Sequence, residues 1–165
     1  MNFSPMKHRI WLLFFVCILS LSACHSRRAV QHTDKSHAKN DSQIHKNLEE
    51  AIKPWLGTPY KYGGNDRKGV DCSGFVHAIY QQVYAISLPR SSKEMYSKCA
   101  KIKTSDLKKG DLVFFDFEGK GVSHVGIYLS NNEYAHASTS KGVVISNLDN
   151  AYMQKRYVGA GRFLR

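Results

Sequence analysis

The sequence has few cysteines, few acidic residues relative to basic ones and no long apolar run. Each of these shortages argues against a kind of site or a class of protein. Its four cysteines show no paired Cys or His spacing of the kind that holds zinc, so no metal site is predicted. Asp and Glu number 13 against 24 Lys and Arg, and the net charge of +11 favours an anionic partner. The apolar run over 10–21 falls short of the roughly 20 residues of a membrane span. There are no internal repeats, which excludes a repeat architecture.

The N-terminal segment is typical of an exported protein. Basic Lys7 and Arg9 precede the short apolar run, and "LSAC" at 21–24 places small residues before a cysteine, which resembles the lipobox of bacterial lipoproteins. We therefore predict a signal peptide over 1–23 and a lipid on Cys24, palmitate included, that anchors the chain to a membrane. His25, rather than Asp, follows the cysteine, and by resemblance to the sorting of enteric lipoproteins this implies the periplasmic face of the outer membrane rather than the inner membrane. The alternative is a plain secretory signal with an incidental cysteine.

Export also narrows the anionic partner. An exported chain does not meet nucleic acid in its own compartment, so the basic charge favours a membrane surface or the carboxylate-rich cell wall. Residues 24–42 are polar and basic with almost no large apolar side chains, which predicts a lipidated flexible tether. The folded domain is expected over 43–165 and is expected to be a monomer.

The pattern of the domain predicts helices first and antiparallel strands afterwards, an α+β fold. Apolar positions at helical spacing run from Ile44 to Trp55, where Pro54 should end the helix. A second helix is predicted from Cys72 to Tyr84 with Asp71 as its N-cap, and a short one near 92–99. Five strands are predicted at "GDLVFFDF", "VSHVGIYLS", "YAHAST", "GVVIS" and "YVGAGRFLR".

Three residues fit the chemistry of a cysteine nucleophile. Cys72 begins a helix, where aligned N–H groups favour the thiolate. Strand alternation puts His124 and His136 on one face of a hairpin, and we expect the Cys72 helix to pack across that face. His124 would then activate Cys72, and His136 would fix the tautomer of His124.

Each of these residues also has a structural interpretation. Cys72 and Cys99 are the two thiols left once the leader is removed and Cys24 is acylated, and an exported protein can join such a pair in a disulfide. A histidine within a strand is more often structural than catalytic. The residues alone leave these alternatives open.

Six motifs in order, from about residue 54 to the C-terminus, resemble the NlpC-type cell-wall cysteine peptidases. They are "GTPYKYGG", "GVDCSGFV", "LPRSS", "KKGDLVFF", "SHVGIYLSNNEYAHASTSKGVVIS" and "LDNAYMQKRY". The resemblance implies a papain-like fold in which N-terminal helices pack on an antiparallel sheet beside a groove. It implies Cys72 as nucleophile, His124 as general base and then acid, and His136 as the orienting third member. It also implies no cofactor.

The same resemblance implies the further site residues and the substrate. Tyr60 would point its hydroxyl toward the oxyanion, and Ser73 and Asp71 would lie near the substrate. The substrate would be the stem peptides of peptidoglycan, cut at the γ-D-glutamyl–diaminopimelate bond or at the diaminopimelate–D-alanine crosslink. Alternative functions are a wall-binding lipoprotein without hydrolytic activity, or an amidase or acyltransferase that uses the same three residues.

Three basic residues flank the motif loops. Arg67, Lys68 and Arg90 are predicted to meet the free carboxylates of the stem peptide, with a solvated basic surface as the alternative.

Overall fold

The computed structural model describes residues 47–163. The predictions that concern the signal peptide, the lipid on Cys24, the tether and the first residues of the domain lie outside these residues. A helix over 47–52 buries Leu48 and Ile52, and it continues as a 3-10 helix over Lys53–Trp55. Pro54 lies in that 3-10 turn. Because proline cannot donate a backbone hydrogen bond, it ends the α-helix there, as predicted.

The second helix spans Cys72–Tyr84, the predicted bounds. Asp71 caps it, because its Oδ1 accepts a hydrogen bond from the N–H of Gly74 at 2.6 Å. Ala85 ends it in the left-handed conformation, with φ 54°. The predicted short helix spans Ser92–Lys98, and the Ser91 hydroxyl caps it.

The strands form a six-stranded sheet in which every neighbouring pair is antiparallel. Its strands are β3 (Ala100–Ile102), β4 (Leu112–Phe115), β5 (His124–Tyr128), β6 (Glu133–Ser138), β7 (Gly142–Asn147) and β8 (Tyr157–Arg162). Their order in the sheet is β3-β8-β4-β5-β6-β7. All five predicted strands are present, and the α+β class is confirmed.

The two faces of the sheet carry separate apolar clusters. The Cys72–Tyr84 helix packs with Val125, Ile127 and the side chains on the same face of β4 and β6. Phe115 and Tyr134 belong to the cluster on the opposite face, and the rings of His124 and His136 contact these two residues. The helix therefore does not cover the face that carries the histidines, and this expectation was wrong. The helix packs instead against the apolar residues of β5, because that contact removes their side chains from water.

An ion pair joins the turn before β4 to the last strand. The Asp111 carboxylate, 1% exposed, accepts hydrogen bonds from Nε and Nη2 of Arg162 at 2.6 and 2.7 Å. It also accepts a bond from the N–H of Lys108 at 2.6 Å. A buried carboxylate needs such partners. Asp111 therefore joins the turn before β4 to β8 through Arg162.

The sequence did not predict five short elements: the hairpin β1 (Asn65–Asp66) and β2 (Gly69–Val70), the edge strand β3, a 3-10 helix over Thr104–Asp106 and a helix over Ala151–Gln154. Each has two to four residues, too few for periodicity to show. Within 47–163, no helix has the length and apolarity needed to cross a membrane.

Candidate active site

Cys72 is a free, buried thiol at the first position of its helix, with 7% of the residue exposed. The backbone N–H groups of Val125, Ser73 and Cys72 itself lie near the sulfur and act to lower the pKa of the thiol. Two of these groups belong to the first turn of the helix, where N–H groups have no partner within the helix. They are therefore available both to the sulfur and to a developing oxyanion.

The nearness of the sulfur to the N–H of Val125 places it beside the β5 backbone, one residue along the strand from His124, although the helix covers the other face. Strands β5 and β6 pair at Ile127–Ala135 and Tyr128–Tyr134, and no ladder pair extends beyond Ile127 toward His124. A strand N–H points within the plane of the sheet. A sulfur close to the N–H of Val125 therefore lies at this opening, one residue along β5 from His124.

The two histidines form one hydrogen-bonded pair. His124 Nε2 lies 2.8 Å from His136 Nδ1, and the two rings meet edge to face. Each residue is 6% exposed. Gly126 makes this approach possible, since a Cβ there would lie 2.6 Å from the ring of Tyr134 and 3.2 Å from Cβ of His136. The pairing uses Nε2 of His124 and leaves Nδ1 as the nitrogen for a proton from the thiol.

Burial keeps all three groups neutral. It raises the pKa of the Cys72 thiol to about 11, and the neighbouring Asp71 carboxylate acts in the same direction. The N–H groups around the sulfur lower this pKa but do not outweigh burial. Burial also holds the pKa of His124 and of His136 well below the usual 6.5. The sequence-based expectation of a thiolate favoured by the helix N-terminus is therefore wrong for the resting site.

The alkylation rate of Cys72 should report this neutral thiol. Because the thiolate is the reactive form, we expect the iodoacetamide rate to rise about tenfold per pH unit from pH 6 to 9. At pH 7.5 it should be about ten- to a hundredfold slower than in the unfolded chain, whose thiol has an ordinary pKa. Mass spectrometry of the separate Cys72 and Cys99 peptides distinguishes the two thiols. A rate at Cys72 that stayed flat from pH 6 to 9 would mean an ionised sulfur.

Tyr60 lies close enough to Cys72 for the two side chains to interact electrostatically, while its predicted role at the oxyanion stays a prediction. Its ring is half-buried, and burial together with the nearby Cys72 raises the pKa of its hydroxyl. The hydroxyl therefore stays protonated at neutral pH and can donate a hydrogen bond. Glu118 contributes to the same rise, which places its carboxylate near Tyr60.

Phe117 was not predicted from the sequence as a site residue. Its ring centroid lies 5.2 Å from that of His124, and it stacks on the exposed ring of Tyr152 at 5.9 Å. Asp116 holds the loop that carries it, accepting hydrogen bonds from four backbone N–H groups over 118–121. Phe117 thus forms an apolar wall beside His124.

Asp71 and Ser73, which are buried, are joined to Arg90, which is exposed at the surface. Arg90 Nη1 lies 3.1 Å from Asp71 Oδ1, and its Nη2 lies 3.1 Å from the carbonyl oxygen of Gly64. The Ser73 hydroxyl donates to the Arg90 carbonyl at 2.7 Å. A Cβ at Gly74 would lie 2.3 Å from the Gly64 carbonyl oxygen, so this glycine makes room for the loop rather than for substrate. These contacts fix the helix start, while a role in binding substrate stays a prediction.

Arg67 and Lys68 form the turn of the β1–β2 hairpin and are exposed. They line an open surface groove of about 680 Å³ together with Asp66, Pro54 and residues 56–59. The structure gives neither side chain an ion-pair partner among the described residues. Their predicted contacts with substrate carboxylates stay predictions.

The disulfide alternative does not describe this structure, because Cys72 and Cys99 are both free. Cys99 lies near Tyr80, eight residues along the helix from Cys72. At 1.5 Å per residue that is about 12 Å along the helix axis. A disulfide needs Cα atoms within about 7 Å of each other. His77, for its part, bonds the carbonyl oxygen of Leu88 through Nδ1 at 2.7 Å.

Similarity to known proteins agrees with this geometry. The family model described as the NlpC/P60 family matches residues 57–162. The chain belongs to the NlpC/P60 family. It is 40% identical over 151 residues to "Probable endopeptidase NlpC" of Escherichia coli K12, covering 91% of this chain and 97% of the relative.

Two further members of the family are similar. The chain is 44% identical over 110 residues to "Murein DD-endopeptidase MepS/Murein LD-carboxypeptidase" of Escherichia coli K12. That match covers 67% of this chain and 58% of the relative. A solved NlpC/P60 family protein from Bacillus cereus ATCC 10987 superposes with a TM-score of 0.68 at 35% identity. It covers 73% of this chain and 40% of that one. The solved relative therefore shares the fold of this domain.

Proposed function

We propose that this protein is a peptidoglycan endopeptidase in which Cys72 is the nucleophile and His124 the general base. The observation that carries the proposal is the buried, hydrogen-bonded pair of neutral imidazoles next to a free thiol at a helix start. A neutral imidazole can accept the thiol proton, and a second imidazole can hold the first in the required tautomer. A protein that merely binds the wall needs neither group.

In the proposed reaction, negative charge develops on the carbonyl oxygen as the bond between sulfur and carbon forms. Cys72 Sγ attacks the peptide carbonyl carbon while its proton passes to Nδ1 of His124. The N–H groups at the helix start and the Tyr60 hydroxyl stabilise the oxyanion. His124 gives that proton to the leaving amine, and a thioester remains. Water, deprotonated by His124, attacks the thioester and releases the carboxylic acid and the thiol. Proton transfer accompanies attack because the resting thiol and imidazole are both neutral.

The bond we favour is the diaminopimelate–D-alanine crosslink. Two relatives, MepS and MepH of Escherichia coli K12, are named murein DD-endopeptidases, and the chain is 44% and 35% identical to them. The crosslink joins two centres of D configuration, which fits that name. The γ-D-glutamyl–diaminopimelate bond is the other candidate.

Digestion of purified sacculi tests both the activity and the bond. Cleavage of the crosslink converts dimeric muropeptides into monomers whose stems keep their full length. Cleavage at γ-D-glutamate instead shortens the stem to a dipeptide. An amidase would release whole stem peptides from the glycan. Mass analysis of the soluble products separates the three outcomes, and products of the last two kinds would contradict the favoured bond.

We also propose that Cys24 carries the lipid that holds the enzyme at the periplasmic face of the outer membrane. The support is the sequence around it, with a small residue before the cysteine and His25 after it. We expect Cys24→Ser to move the protein from the detergent phase to the aqueous phase after phase separation of cells. Cys17→Ser, inside the leader, is the matched control and should leave the partition unchanged. Retention of Cys24→Ser in the detergent phase would contradict the anchor.

A further inference from the structure

We propose that Ser146 is a positioning residue that sets the tautomers of both histidines through a hydrogen bond to His136. The inference rests on the proposed function, in which His124 acts as a base. His136 Nε2 lies 3.0 Å from Ser146 Oγ, on the side of the ring away from His124. The line of contacts therefore runs from β5 through β6 to β7 and ends on a hydroxyl.

The register of the strands places the serine where it can act. Ser146 pairs directly with Tyr134, and His136 pairs with Val144, so Ser146 is the diagonal neighbour of His136 on the same face. Diagonal neighbours in an antiparallel sheet are about 7–8 Å apart, which an imidazole ring can bridge. The contact is thus a consequence of the sheet and not of a loose surface side chain.

Counting protons shows why the direction of this bond matters. As a base, neutral His124 must keep Nδ1 free, so its one ring proton lies on Nε2 and is donated to Nδ1 of His136. His136 must then carry its own proton on Nε2, and this N–H donates to Ser146 Oγ. If the serine donated instead, both protons would move to Nδ1. His124 would then point an N–H at the sulfur and could not accept its proton.

Tyr134 lies near Ser146 without a hydrogen bond between the two hydroxyls. Burial raises the pKa of Tyr134, and the Ser146 hydroxyl acts against that rise, so the two side chains are neighbours. The Tyr134 hydroxyl has no hydrogen-bond partner in the described part of the chain. It therefore does not compete with His136 for the lone pairs of Ser146.

Nitrogen-15 spectra of the purified full chain, labelled in histidine, test this assignment. At pH 7 we expect both His124 and His136 to carry their proton on Nε2. In Ser146→Ala we expect a measurable share of both rings to shift to Nδ1–H, and kcat on purified muropeptides to fall about ten- to a hundredfold with KM unchanged. Ser146→Thr keeps the hydroxyl and should restore the wild-type tautomers and most of kcat. Ser97→Ala, which removes an exposed helix hydroxyl bonded to the Glu94 carbonyl, is the control for loss of a hydroxyl.

The outcomes separate this proposal from the proposed function. A wild-type His136 with its proton on Nδ1 would overturn the role of Ser146 without any variant being made. So would a loss of kcat in Ser146→Ala with unchanged tautomers, since that result would indicate packing alone. Predicted tautomers in a chain that released no muropeptides would instead leave the hydrogen-bond assignment standing and contradict the endopeptidase function.

Discussion

Replacing Cys72 with alanine is expected to abolish the release of muropeptides from sacculi, with a loss of roughly 10⁴-fold or more. The sulfur is the atom that attacks, and the other thiol among residues 47–163, Cys99, lies near Tyr80 instead. Loss of a nucleophile from a set of groups that act together removes nearly all of their joint contribution. The measurement is the rate of product formation, followed by chromatography and mass analysis.

Cys99→Ala is the matched control for that experiment. Cys99 is also a free, buried thiol, and its sulfur packs against Gly161 of β8, where a Cβ would lie 2.1 Å from it. Its removal is expected to cost about 1 kcal/mol of stability and to leave activity within about twofold. Identical product profiles from wild type and Cys72→Ala would contradict the enzyme. A Cys99→Ala variant that was folded but inactive would contradict the assignment of the chemistry to Cys72 alone.

Replacing Arg162 with methionine is expected to destabilise the fold by about 3–5 kcal/mol. Methionine keeps most of the apolar stem but removes both N–H donors from the Asp111 carboxylate, which is 1% exposed. That charge would then stay buried with the N–H of Lys108 as its remaining partner. Urea unfolding followed by circular dichroism gives the free energy of unfolding.

An exposed ion pair on the same domain provides the comparison. Lys98 and Glu94 lie 2.7 Å apart, one turn apart on the Ser92–Lys98 helix, with side chains 60% and 49% exposed. Lys98→Met should cost less than about 0.5 kcal/mol, because water already solvates both charges. If Arg162→Met cost no more than Lys98→Met, the buried pair would not hold β8 to the turn before β4. A second change, Asp111→Asn, should recover part of the loss by removing the unpaired charge.

Much of the fold followed from local sequence pattern. The bounds of the Cys72–Tyr84 helix were predicted to the residue, because a capping aspartate and a regular apolar spacing mark them directly. Alternation in "HVGIY" and "YAHAS" was enough to place His124 and His136 on one face of a hairpin. The short elements were missed because two to four residues carry no period.

The side chains that fix the site were harder to predict. Arg90 is seventeen residues beyond Ser73 and Ser146 is ten beyond His136, so no spacing in the chain signals either contact. A polar residue in "GVVIS" was the one available clue to Ser146, and it is equally typical of an exposed strand position. The register of β6 against β7 is what places Ser146 beside His136.

By itself, the sequence determined which residues carry the chemistry and which elements hold them, because capping and periodicity act over a few residues. Tertiary structure decided the charge state of those residues and their partners. A helix N-terminus favours a thiolate, but whether burial outweighs it depends on what the rest of the chain packs around the sulfur. The same packing placed the helix on the Val125 face of the sheet and brought the sulfur near the backbone N–H of Val125. The burial of the sulfur depends on the whole folded domain, so it cannot be predicted from a short stretch of sequence.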